Sequence, residues 1–118
     1  MIIYAKMKGI TMNNVTLIGM PGSGKSTIGV ILAKALGYQF LDTDLVIQKQ
    51  EKRKLSQIIA QEGPERFKEI ENKVNASVDV TETVIAPGGS VIYCEEAMKH
   101  LRSIGKVVYL KISLESLS

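Results

Sequence analysis

A parallel-sheet α/β fold in three layers is what this 118-residue sequence predicts, and three observations carry it. Short apolar runs at residues 15–18, 83–86 and 106–112 read as buried strands. Apolar residues between them recur at helical spacing, as at Phe67, Ile70, Val74 and Val78. A glycine-rich segment, Gly19-Met20-Pro21-Gly22-Ser23-Gly24-Lys25-Ser26-Thr27, joins the first strand to the first helix. Strands that alternate with helices build a parallel sheet through right-handed crossovers, with helices packed on its faces.

Residues 1–12 do not continue this pattern and are expected to form an N-terminal extension, leaving residues 13–118 as one domain. Val15-Thr16-Leu17-Ile18 is the first strand, and residues 28–36 form the helix that Gly37 stops. Gln39-Phe40-Leu41-Asp42-Thr43-Asp44 reads as a short strand ending in two acids, with a helix from Leu45 to Lys49. Glu51-Lys52-Arg53-Lys54 reads as a solvated turn, and Ser56 as the cap of a short helix carrying Ile58 and Ile59. Gly63-Pro64 punctuates, with the proline suited to a first helical position. The Phe67, Ile70, Val74, Val78 stripe faces the core. Thr83-Val84-Ile85-Ala86 runs into the loop Pro87-Gly88-Gly89-Ser90, followed by a helix at 95–102 and the strand at 106–112.

Composition narrows the classes. The net charge of +3 comes with no basic stripe interleaved with aromatics, so nucleic-acid binding is not favoured. Cys94 is the sole cysteine and His100 the sole histidine, which excludes an internal disulfide and a His/Cys metal cluster. His100 is expected on a helix surface. No apolar run approaches the roughly 20 residues that span a bilayer. The expectation is a soluble, cytoplasmic protein with no membrane partner.

The segment from Gly19 matches G-x-x-x-x-G-K-[ST] between a strand and a helix, the context in which that pattern binds nucleotide phosphates. Gly22 and Gly24 let the backbone reach positive φ, so that N–H groups from Gly22, Ser23 and Gly24 converge on phosphate oxygens. The following helix adds free donors and a favourable dipole. Lys25 would reach the β- and γ-phosphates of ATP, Ser26 would ligate Mg²⁺, and Thr27 would lie by the α-phosphate. Strand alternation puts the Asp42 and Asp44 carboxylates on one face, as a kinase needs for a magnesium ligand and an acceptor base. Either acid could instead cap the next helix. The glycine loop, the acid pair and Pro87-Gly88-Gly89 all follow strands, so all three open on one edge of the sheet.

Taken together, Gly19 to Thr27, Leu41-Asp42-Thr43-Asp44, Phe67-Lys68-Glu69-Ile70-Glu71, Gly88-Gly89-Ser90-Val91 and Val107-Val108-Tyr109-Leu110 resemble the shikimate kinase family. The resemblance runs from about Asn14 to the last residue. It implies a nucleoside-monophosphate-kinase-like P-loop fold and ATP-dependent phosphorylation of the 3-hydroxyl of shikimate. Asp44 would hold the acceptor hydroxyls and act as base, Asp42 would contact Mg²⁺ through water, and Gly88, with Gly89, would hydrogen-bond the acceptor. Lys68 stands where the family has an arginine that clamps the shikimate carboxylate, and Pro87 where it has a first glycine. Lysine keeps the charge without the planar fork, so a kinase for another small polyol or acid is a second reading. A non-catalytic nucleotide-binding module is a third. Family members also extend beyond Ser118 into a lid and a last strand, so the 118 residues alone are expected to be weakly active or inactive. Their outer strand edge is expected to promote self-association.

Overall fold

The computed structural model describes residues 13–19 and 25–110. The predicted extension at residues 1–12 and the end of the last predicted strand lie outside them. The elements in order are β1 (Asn14–Gly19), α1 (Lys25–Leu36), β2 (Gln39–Asp42), α2 (Thr43–Glu51) and α3 (Leu55–Ala76). Then follow β3 (Thr83–Ala86), a 3₁₀ turn (Gly89–Tyr93), α4 (Glu95–Ser103) and β4 (Gly105–Leu110). The four strands are parallel in the order β2-β3-β1-β4.

Strand alternation sorts the core into two layers. Val15 and Leu17 of β1, with Val84 and Phe40, meet Ala33 and Tyr38 on the α1 side of the sheet. Ile18, Ile85, Leu41 and Val107 meet Ala97, Met98 and Leu101 of α4 on the other. Helices on both faces of one parallel sheet give the three-layer arrangement. A third cluster, Ile47, Ile58, Ile70 and Val74, locks α2 to α3.

Two close approaches set this geometry. Gly29 lies over Phe40, where an added Cβ would come within 2.5 Å of the ring. Asn14, fully buried, donates to the carbonyls of Val80 at 2.7 Å and Ile104 at 3.0 Å and accepts from the Thr83 amide at 3.0 Å. One side chain thus ties the start of β1 to the segments that enter β3 and β4.

Several expectations need correcting. Thr43 is already helical, so Asp44 belongs to the first turn of α2 and not to a strand. The next helix begins at Leu55 rather than behind a Ser56 cap, because the Gln57 side chain accepts the Lys54 amide at 2.8 Å. Gly63, at φ 86° and ψ 161°, breaks α3 into two stretches, and Pro64 opens the second as expected. Helix α3 ends at Ala76, so Val78 joins the core from the loop beyond it. The charged run is a turn with Lys52 and Lys54 exposed, and within it Arg53 is ion-paired with Glu51 and Glu62, so that it also clasps α2 to α3. His100 is half-buried, with Nε2 2.5 Å from the Val78 carbonyl.

Candidate active site

The carboxyl ends of β1, β2 and β3 meet at one edge, and each delivers a loop or helix start carrying predicted residues. Lys25 is the first residue of α1, and its Nζ donates to the Gly19 carbonyl at 3.1 Å. Ser26 and Thr27 are exposed on the same opening turn, where helical N–H groups lack intrahelical acceptors. Gly22, Ser23 and Gly24 lie outside the described residues.

Asp42 ends β2 level with Ala86 of β3. Its Oδ1 accepts the amides of Asp44 at 2.9 Å and Leu45 at 3.4 Å, so Asp42 is the N-cap of α2. That cap explains why the chain turns helical at Thr43. The two acids are therefore set by a capping turn and not by strand alternation: one oxygen of Asp42 is committed to backbone, while Asp44 turns inward. Asp44 Oδ1 is buried without a hydrogen-bond partner and faces Gly88, where an added Cβ would stand 2.9 Å from it.

Glu71, from α3, completes the cluster and carried no role in the sequence reading beyond membership of a motif. It is 1% exposed, its Oε1 accepts from Ser90 Oγ at 2.5 Å, and its Oε2 lies against Gly88 on the side where a Cβ would project. Its position, four residues after Phe67 and three before Val74, places a carboxylate on the apolar face of a helix. That was the available signal.

The electrostatics follow from this crowding. The Asp44 carboxyl is pushed up to about 6, first by burial, then by the charges of Asp42 and Glu71, while Lys25 pulls it down. Glu71 is also raised by burial, against the hydrogen bonds of Ser90 and Cys94 and the charge of Lys25. Burial, then Glu71, pushes the Cys94 thiol up, which leaves it protonated and inert as a nucleophile. The geometry thus brings Lys25, Asp44, Gly88 and Glu71 together. It leaves Lys68 on the exposed side of α3, one turn before Glu71. Gly89 and Ser90 line an adjoining cavity of about 530 Å³ with Ile18, Gly19, Ile92, Tyr93 and Tyr109.

A parallel sheet whose first strand feeds a lysine at a helix mouth, with carboxylates gathered beside it, defines a P-loop small-molecule kinase architecture. The family model "Shikimate kinase" matches residues 21–118. The shikimate kinase of Moorella thermoacetica is 41% identical over 87% of this chain and 60% of its own length. That of Microcystis aeruginosa is 40% identical over 97% of this chain and 58% of its own. Among solved structures, shikimate kinase from Acinetobacter baumannii in complex with shikimate superposes with TM-score 0.79 at 34% identity, covering 86% of this chain and 57% of that one. The Bacteroides thetaiotaomicron shikimate kinase gives 0.80 at 27% identity, covering 88% and 60%. The chain belongs to the shikimate kinase family. It spans about 60% of the length of the curated relatives it matches.

Proposed function

We propose that this chain carries the nucleotide-phosphate and acceptor sites of an ATP-dependent kinase that phosphorylates the 3-hydroxyl of shikimate. The observation that carries the reading is the convergence of Asp44 and Glu71 on Gly88, next to the Lys25 ammonium. A buried and a half-buried carboxylate against a bare backbone suit a polyol, whose hydroxyls can donate to both.

In this reading the amides of residues 22–27 hold the phosphate chain and Lys25 neutralises its β and γ groups. Asp44 accepts the proton of the acceptor hydroxyl as that oxygen bonds to the γ-phosphorus and ADP leaves. A carboxyl titrating at about 6 is ionised at neutral pH yet more basic than an ordinary aspartate, which suits a base. Gly88 and Gly89 offer backbone groups to the acceptor, and Lys68 its charge to the acceptor carboxylate.

The residues also fit Mg²⁺, a hard cation that prefers oxygen ligands and keeps several from water or phosphate. Among the described residues no three His, Cys, Asp or Glu side chains converge as a closed site, so protein oxygens would supply only part of the shell. Ser26 Oγ and the Asp42 carboxylate, directly or through water, are the residues that would hold it. When bound it would neutralise developing charge on the phosphates. Among the described residues no helix is long and apolar enough to cross a membrane. We assign the protein to the cytoplasm, where ATP is available.

A coupled ADP-release assay over a panel of polyols and hydroxy acids, with calorimetry of shikimate binding, tests this. Shikimate should bind and be the preferred acceptor. Selection of a different acceptor would favour the second reading, which the single-pronged charge of Lys68 supports. Nucleotide binding without any acceptor would leave a binding module.

A further inference from the structure

Glu71 is buried, and burial alone does not fix which way its carboxyl group faces. A terminal sp³–sp² torsion has a broad, roughly two-fold profile, so the two oxygens would exchange unless a donor held one of them. Two donors do so here. Ser90 Oγ lies 2.5 Å from Oε1, and the Cys94 thiol lies 3.9 Å from the same oxygen. Oε2 receives neither and is left against Gly88, across from Asp44 Oδ1. Ser90 is itself exposed, on the 3₁₀ turn that Val91, at 0% exposure, anchors to the core. Packing alone therefore does not require a hydroxyl at position 90.

We propose that Ser90 is a positioning residue for the acceptor site: its hydroxyl holds one oxygen of Glu71 so that the other is presented to the hydroxyls of a polyol lying over Gly88. This rests on the acceptor reading above and deepens it. Because Ser90 follows Gly88 and Gly89 on one loop, the same backbone forms the floor of the site and aims its buried carboxylate. Cys94 is an auxiliary donor, longer and weaker. The charged and titratable groups facing Glu71 are Asp44 from α2, Lys25 from α1 and the Cys94 thiol, with Lys68 on its own helix. Loss of the hydroxyl removes a donor that favours the ionised carboxylate, and frees the group to turn.

The test compares the parent chain with Ser90→Ala and Ser90→Thr, following the Glu71 carboxyl carbon by NMR against pH in nucleotide-free protein, alongside calorimetric titration with shikimate. Ser90→Ala should raise the Glu71 midpoint by about one unit, the scale of one hydrogen bond to a charged group. It should weaken shikimate binding about tenfold, and Ser90→Thr should restore both. An unchanged midpoint in Ser90→Ala overturns the positioning role, as does a moved midpoint with unchanged shikimate affinity. If the parent chain binds no shikimate while the midpoint still follows the hydroxyl, the acceptor reading falls and takes the positioning role with it.

Discussion

Asp44 enters the fold at a cost that its chemistry explains. Its carboxyl rises from 3.8 to about 6, chiefly through burial, so the folded state holds that proton more tightly than the unfolded chain does. Between those two values the folded state binds more protons, and stability must therefore fall as pH rises through the window. Glu71, raised by the same burial, acts in the same direction above its ordinary value of 4.5. Chemical denaturation of the nucleotide-free chain should show a decline from about pH 4 to pH 6, and Asp44→Asn should flatten it. At pH 7 the variant should be more stable by on the order of 2 kcal/mol, since each pKa unit is about 1.4 kcal/mol and solvent screens part of the shift of a half-exposed carboxyl. An identical pH slope in the variant would contradict this account of Asp44. Lys68 makes a second residue-scale test. If it meets the acceptor carboxylate, Lys68→Arg should tighten shikimate binding by about tenfold, because a planar fork adds a second charged hydrogen bond. No gain in calorimetry would remove Lys68 from the acceptor site. Lys25, Asp44 and Gly88 were legible in sequence because each belongs to a motif whose residue types have a mechanical reason. Glu71 was hidden because its helical spacing merges it with an apolar stripe. Only the hydroxyl of Ser90, an exposed residue on the neighbouring loop, shows how the carboxylate is accommodated.

At the scale of elements, close backbone approach decides what can be changed. Gly29 brings α1 down onto Phe40 of β2, so Gly29→Ala should cost about 1–3 kcal/mol through overpacking, measured by thermal or urea unfolding. Asn14→Leu should cost more, about 3 kcal/mol or above, because Val80, Ile104 and Thr83 would each lose a buried partner. A neutral result at either site would show that the chain can relax where the packing says it cannot. The strands were readable because buried parallel strands are short apolar runs bounded by glycine and polar residues. Helix starts were less readable. Asp42 turned out to be a cap, and Lys54 is held by the Gln57 side chain, so the first turns of α2 and α3 begin where a hydrogen bond is available and not where the apolar period begins. The Arg53 clasp was unreadable for a related reason: Glu62 lies nine residues away and is brought near only by the α2–α3 connection.

For the whole molecule, the sheet order places β1 and β3 inside, with β2 and β4 outside among the described residues. Tyr109 of β4 is 58% exposed, and the outer edge of that strand has no partner strand among them. A polypeptide of these 118 residues should therefore self-associate at high concentration in sedimentation velocity. A strictly monomeric boundary would contradict that. The fold class and the meeting of the carboxyl ends of β1, β2 and β3 at one sheet edge were legible in sequence, since alternation of strands and helices dictates both. The handling of phosphate remains the claim on which the rest depends. Isothermal calorimetry of MgADP against the parent chain and Lys25→Ala tests it most directly. The account predicts clear binding heat for the parent and an affinity lower by about tenfold to a hundredfold in the variant. Absent heat in the parent, or equal affinity in the two proteins, would contradict it.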